Sequence, residues 1–108
     1  MTITYFKGGE DLDSDALPSW DAVLESNGVT PDLSTGWTIR CLQTPPSGDP
    51  VLKTAGFTPG PDGAVLVQWD PGELDDLPYG TTRLALIATR DSDSKSFTVR
   101  ERLFIRPR

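Results

Sequence analysis

Histidine is absent from this 108-residue chain, and cysteine occurs only once. Histidine is the commonest general base and metal ligand in proteins, so its absence removes Ser–His and Cys–His nucleophile pairs and most transition-metal sites. A single cysteine, Cys41, cannot form an internal disulfide, and without a histidine to activate its thiol we predict a small buried apolar residue. The chain also has no Gly-rich phosphate loop. These absences predict a protein that is not an enzyme and binds no cofactor.

The chain also lacks any apolar run near the ~20 residues that a membrane helix needs. Its N-terminus has no basic segment followed by a hydrophobic stretch, so we expect neither a membrane span nor a secretory signal. Cations are scarce in residues 1–80, where three face thirteen acids, whereas residues 81–108 carry seven cations against three acids. A net charge of −6 argues against nucleic acid as a partner. The basic C-terminal part is expected to complement the rest of the fold or an acidic neighbour.

The best candidate for a metal site is the acidic run that contains Asp11, Asp13 and Asp15. Alternate carboxylates can converge their oxygens on Ca²⁺. An EF-hand loop, however, needs Gly where Ala16 stands and a bidentate Glu where Ala22 stands. We therefore interpret this run as a solvated acidic loop and predict no metal site.

Apolar and polar residues alternate with a period of two along much of the chain, as in β-strands, and ten Gly and ten Pro interrupt the alternation. For the second segment a helix competes, since its apolar residues also fit a spacing of about 3.6. The Asn27–Gly28 pair that follows is a strong hairpin signal and favours a strand. The pattern predicts one domain, 1–108, with seven strands, near residues 2–6, 20–24, 37–42, 51–57, 65–69, 81–90 and 96–105.

Residues 70–77 carry the one convincing helix start. Asp70 can cap a helix, Pro71 suits its first position, and Glu73 can complete a capping box. The predicted fold is therefore all-β, an immunoglobulin-like two-sheet sandwich of about seven strands with one short helix before the sixth. A closed barrel is the main alternative.

The three tryptophans fall on the apolar phase of three different strands, which predicts a shared core. A role in stacking on carbohydrate would instead require exposed tryptophan rings. The predicted core residues are Trp20, Trp37, Ile39, Cys41, Val65, Val67, Trp69, Leu84, Leu86, Phe97, Val99 and Leu103.

The last predicted strand, residues 96–105, is long and ends near the end of the sequence. A strand at a sheet edge leaves amides and carbonyls that can pair with another chain. Arg100 and Arg102 lie on the polar face of this strand and can select an acidic partner. Together with Phe104 they are the interface candidates, the alternative being an ordinary last strand whose charges face water.

Two segments are similar to sequences of a known family. Residues 31–40, PDLSTGWTIR, are similar to its (I/V)DLTGATVRF stretch, and residues 77–80, LPYG, resemble its LPAGTYRY element. With the preceding Asn27–Gly28 turn and a final hairpin, the chain resembles the immunoglobulin-like β-sandwich domains of tailed-phage tail and baseplate proteins. Examples are the N-terminal domain of baseplate upper proteins and the small minor tail proteins of actinobacterial phages. The resemblance covers roughly residues 17–106.

This resemblance implies a non-enzymatic virion protein, a tail or baseplate subunit. Its partners would be other virion structural proteins and copies of itself, with no nucleic acid and no membrane. The alternatives are a capsid decoration or head-completion protein, or a module that binds a host-surface glycan or receptor. The family signatures bring no catalytic residues to this chain.

Overall fold

The computed structural model describes residues 2–7, 18–25, 27–70, 72–74 and 77–107. These residues contain no α-helix, and therefore none long and apolar enough to cross a membrane. They form eight strands: β1 Thr2–Lys7, β2 Ser19–Val23, β3 Trp37–Thr44, β4 Val51–Lys53, β5 Phe57–Pro59, β6 Ala64–Gln68, β7 Gly80–Arg90 and β8 Ser96–Pro107.

The strands form two sheets. One has five strands in the order β1-β8-β7-β3-β4, and the other has three in the order β2-β6-β5. All neighbouring strands are antiparallel except β1 and β8, which run parallel from Thr2 opposite Arg102 to Lys7 opposite Pro107. One hydrophobic core draws on both sheets. The prediction of an all-β, two-sheet sandwich is confirmed.

Burial follows the alternation of the strands, because successive side chains of a strand point to opposite sides of its sheet. Of the predicted core residues, eight are buried: Trp20, Cys41, Val65, Val67, Trp69, Leu84, Leu86 and Leu103. The other four are only partly buried and pack against the core: Trp37, Ile39, Phe97 and Val99. These four lie on the longer strands of the five-stranded sheet, and Trp37 stacks on Phe97 with ring centroids 5.5 Å apart.

The predicted helix before the long β7 strand is wrong for the described residues, which form turns at 72–74. Gly72 has a φ of 86°, in the left-handed region that a right-handed helix excludes. The N–H of Glu73 donates to the carbonyl of Asp70 at 3.1 Å, closing a turn with glycine at its third position. A Pro-Gly pair favours such a turn, and here it outweighs the capping residues.

The single strand predicted over residues 51–57 is two strands, so the chain has eight and not seven. β4 belongs to the five-stranded sheet and β5 to the three-stranded one. The chain crosses between the sheets at Gly56, which has a φ of 87°. A Cβ at this position would clash with the carbonyl oxygen of Gln68, so only glycine fits.

The Asn27–Gly28 turn forms, with φ values of 53° and 78°, but it does not make a hairpin between neighbouring strands. β2 pairs with β6, and β3 pairs with β7 and β4. The turn residues determine the local reversal of the backbone, whereas burial of apolar side chains decides which strands pair. Leu33, in the connection to β3, is buried in the core.

Candidate protein-binding face

The outward side of the five-stranded sheet collects arginine side chains from three strands. β3 contributes Arg40, β7 contributes Arg83, and β8 contributes Arg100, Arg102 and Arg106. All five are exposed, each at the polar phase of its strand. We call this surface the arginine face.

The strand register brings like charges together on this face. Arg83 lies directly opposite Arg102 in the β7–β8 ladder, and Arg100 is two residues from Arg102 on the same side of β8. Directly opposite residues have Cβ atoms ~5 Å apart, and like charges there destabilise the pair. Within the described ranges, none of the five arginines forms an ion pair with a carboxylate. An anionic partner would supply the missing counter-charge.

Apolar side chains lie between and beside the arginines. Leu52 is 51% exposed and Phe104 is 37% exposed. Leu42 lies opposite Leu52 and is half-buried, as is Ile87 on β7. The guanidinium of Arg106 lies 5.6 Å from the ring centroid of Phe104. Aromatic, apolar and arginine side chains with few acids are typical of protein–protein contact surfaces.

A buried cation, Lys53, lies on the edge strand β4. Its ammonium donates to Glu73 Oε2 at 2.5 Å and lies 5.5 Å from the ring centroid of Trp69. The indole N–H of Trp69 in turn donates to Gln43 Oε1 at 2.9 Å. The Lys53 ammonium and the Trp69 indole N–H therefore both have hydrogen-bond partners inside the fold. The cluster links β4 of the five-stranded sheet to Trp69, which follows β6 of the three-stranded sheet. This cluster was not predicted from the sequence, because lysine side chains ordinarily face water.

Among residues 2–7, 18–25, 27–70, 72–74 and 77–107, the titratable groups show no arrangement for acid–base or nucleophilic chemistry. Burial raises the pKa of the Cys41 thiol to about 12, which keeps the thiol neutral. The hydrogen bond from Arg90 lowers the pKa of the exposed Asp93 carboxyl to about 2. Across the described segments, no group of three or more potential ligands could hold a metal ion. The weak candidates Asp11, Asp13 and Asp15 lie outside these segments.

The three interface candidates from the sequence lie together on the outward side of β8: Arg100, Arg102 and Phe104. The edge position expected for this strand is wrong for residues 102–107, since there β8 lies between β7 and β1; residues 96–101 pair with β7. The strand therefore offers a face and not an edge along Arg102–Pro107, where β1 pairs with it.

Three arginines of this surface were not among the interface residues predicted from the sequence: Arg40, Arg83 and Arg106. The alternation of apolar and polar residues along each strand predicts that these side chains point outward. That they share one surface follows only from the pairing of β3, β7 and β8, which are separated along the chain.

A scan against models of protein families gives no match. A search of curated proteins gives none either.

Proposed function

We propose that this chain is an immunoglobulin-like assembly module of a phage tail or baseplate, without catalytic activity, that docks its arginine face on an acidic protein surface. The observation that carries the proposal is the cluster of five exposed arginines without a paired carboxylate in the described residues. Such a cluster costs stability in the free chain and becomes favourable against an acidic partner.

The strand order supports the immunoglobulin-like part of the proposal. If β2, β3, β5, β6, β7 and β8 are equated with immunoglobulin strands B, C, D, E, F and G, the two sheets become G-F-C and B-E-D. Immunoglobulin sandwiches divide their strands in this way, and variable-type domains add a further strand beside C, where β4 lies here. The role in a virion rests on the similarity of residues 31–40 and 77–80 to the phage family.

The accessibility of the tryptophans argues against the carbohydrate-binding alternative. Trp20 is 4% exposed and Trp69 is 3% exposed, so neither ring offers a platform for a sugar. Trp37 is half-buried, stacks on Phe97, and has the guanidinium of Arg90 5.8 Å from its ring centroid. Stacking on a sugar needs an open aromatic face, which these three positions do not present together.

Incorporation of a tagged chain into particles tests the proposal. The Arg102→Glu variant and the wild type would be expressed during infection, and their copies counted in purified tails and heads by mass spectrometry. We expect the wild type in tails and at least a tenfold loss of the variant. The matched control is Lys95→Glu, the same charge reversal in an exposed hairpin loop, which should incorporate normally.

Two results would contradict the proposal. Normal incorporation of Arg102→Glu would show that the arginine face takes no part in assembly. A wild-type chain found in heads but not in tails would favour the capsid alternative. Thermal unfolding of each variant would distinguish a loss of incorporation from a loss of folding.

A further inference from the structure

The outward side of the three-stranded sheet is the chemical opposite of the arginine face. β2, β5 and β6 contain no Lys or Arg. Asp21 lies on the outward phase of β2 and is exposed. The β2–β6 pairing continues past the strands through a hydrogen bond of 2.8 Å from the Leu24 N–H to the Gly63 carbonyl. Glu25 follows Leu24 and Asp62 precedes Gly63, so both carboxylates lie at this end of the β2–β6 pair.

Exposed acids therefore lie on β2 and at both ends of β6. The four are Asp21, Glu25, Asp62 and Asp70. We call this surface the acidic face. It also carries apolar groups, since Val23 is 52% exposed and Leu66 is half-buried. Both faces thus combine one sign of charge with exposed aliphatic side chains.

The two faces lie on opposite sides of the sandwich, because they are the outward sides of its two sheets. The net charge of the chain is −6, so the residues other than the five arginines of the arginine face carry a net charge of −11. A second copy of the chain consequently presents the counter-charge that the arginine face lacks.

We propose that the arginine face of one copy docks on the acidic face of a second copy. This inference rests on the proposed function, in which the arginine face is a docking surface, and it names the partner. The contact uses two different faces of the chain, so an open assembly keeps a free arginine face at one end and a free acidic face at the other. Contacts of this type continue into a ring or an open stack.

Salt is expected to weaken the contact. The charges lie at exposed positions, and the screening length falls from ~10 Å at 0.1 M salt to ~3 Å at 1 M. Sedimentation velocity of the full chain should show masses that grow beyond the dimer with concentration in 50 mM NaCl. In 1 M NaCl the association constant should fall at least tenfold.

A mixing experiment tests the head-to-tail geometry. One variant, Arg100→Glu with Arg102→Glu, loses the arginine face but keeps the acidic face. The other, Asp21→Asn with Asp62→Asn, neutralises two carboxylates of the acidic face but keeps the arginine face. Each variant alone should be monomeric. A 1:1 mixture should form a heterodimer through the one intact pair of faces and grow no further.

Each result of the mixing experiment decides the inference. Heterodimers in the mixture support it and show that both variants are folded. A mixture that stays monomeric, or a variant that still associates by itself at wild-type strength, overturns it. Lys95→Glu serves as the matched control and should assemble as the wild type does.

The self-docking inference and the proposed function can fail separately. If the wild-type chain stays monomeric at every concentration while Arg102→Glu is still lost from tails, the face docks on a different protein and only self-docking fails. If heterodimers form while Arg102→Glu incorporates normally, self-docking stands and the role of the arginine face in the virion fails.

Discussion

The two sides of β7 and β8 differ in both polarity and charge. Their inward side carries fully buried apolar groups such as Leu84, Leu86 and Leu103. Their outward side carries exposed arginines, with Arg83 directly opposite Arg102. The inward side stabilises the fold by removing apolar area from water, whereas the outward side opposes folding by placing like charges together. Truncating a buried apolar residue on the inward side and removing an arginine from the outward side should therefore change stability with opposite sign.

The largest effect is expected on the inward side. Leu86 is fully buried, and Leu86→Ala should lower the free energy of unfolding by about 3 kcal/mol, because it removes apolar contacts and leaves a cavity. Chemical denaturation measures this loss. The neighbouring Ile87 is half-buried on the outward side, so Ile87→Ala is the matched control and should cost about 1 kcal/mol. Equal losses at the two positions would contradict the difference between the sides.

The buried cation gives the next largest effect. Glu73→Gln removes the charge that Lys53 contacts and leaves a buried ammonium without a counter-charge, which should cost about 2–3 kcal/mol in chemical denaturation. Glu73 is partly exposed, so water limits the loss. Lys53→Met removes the charge and keeps the aliphatic side chain, and it should be nearly neutral. If Lys53→Met were the more damaging variant, the pair would contribute net stability.

On the outward side the sign should reverse. Arg102→Thr removes the like-charge contact with Arg83 and introduces a residue that favours strands, so we expect a gain of about 0.2–1 kcal/mol in stability. The same variant should weaken association. Added salt should shrink the gain, since it screens the repulsion in the wild type. A loss of stability in low salt would contradict the like-charge interpretation of this face.

The smallest effect lies in the β7–β8 hairpin loop, where Arg90 holds the carboxylate of Asp93 at 2.7 Å. The pKa of Asp93 falls to about 2, below its ordinary value of 3.8. Because the pKa of Asp93 is lowered in the folded chain, the Arg90–Asp93 contact contributes its full stability to the fold above about pH 4. This stability is lost as the pH falls towards 2. An NMR titration of the Asp93 carboxyl checks the value, and Arg90→Gln should raise it.

Much of the fold was predictable because alternation is a local property. The strands around Trp37, Val65 and Leu84 follow directly from the period of two, and their buried phases lie in the core. Two of the errors fell at glycines. Gly72 turned a convincing helix start into a turn, and Gly56 divided one predicted strand between two sheets. Both have positive φ, and such backbone geometry depends on neighbours that the local pattern does not show.

The candidate face was predictable only in part. Arg100, Arg102 and Phe104 share one strand, so the alternation alone places them on one side of it. The contribution of Arg40 and Arg83 depends on strands that are distant in the chain and adjacent in the sheet. The burial of Lys53 depends likewise on Glu73, twenty residues away. Long-range pairing decides these features, and a single sequence does not state that pairing.

By itself, the sequence determined that this chain folds as stacked sheets without histidine chemistry, and which residues of each strand are apolar. Those properties follow from residue type and from a spacing of two, and both act over a few neighbouring residues. Only the tertiary structure decided that the last strand lies inside its sheet, that five arginines share one surface, and that acids collect on the opposite one. Strand order and register place charges relative to each other, because neighbours in a sheet need not be neighbours in the chain.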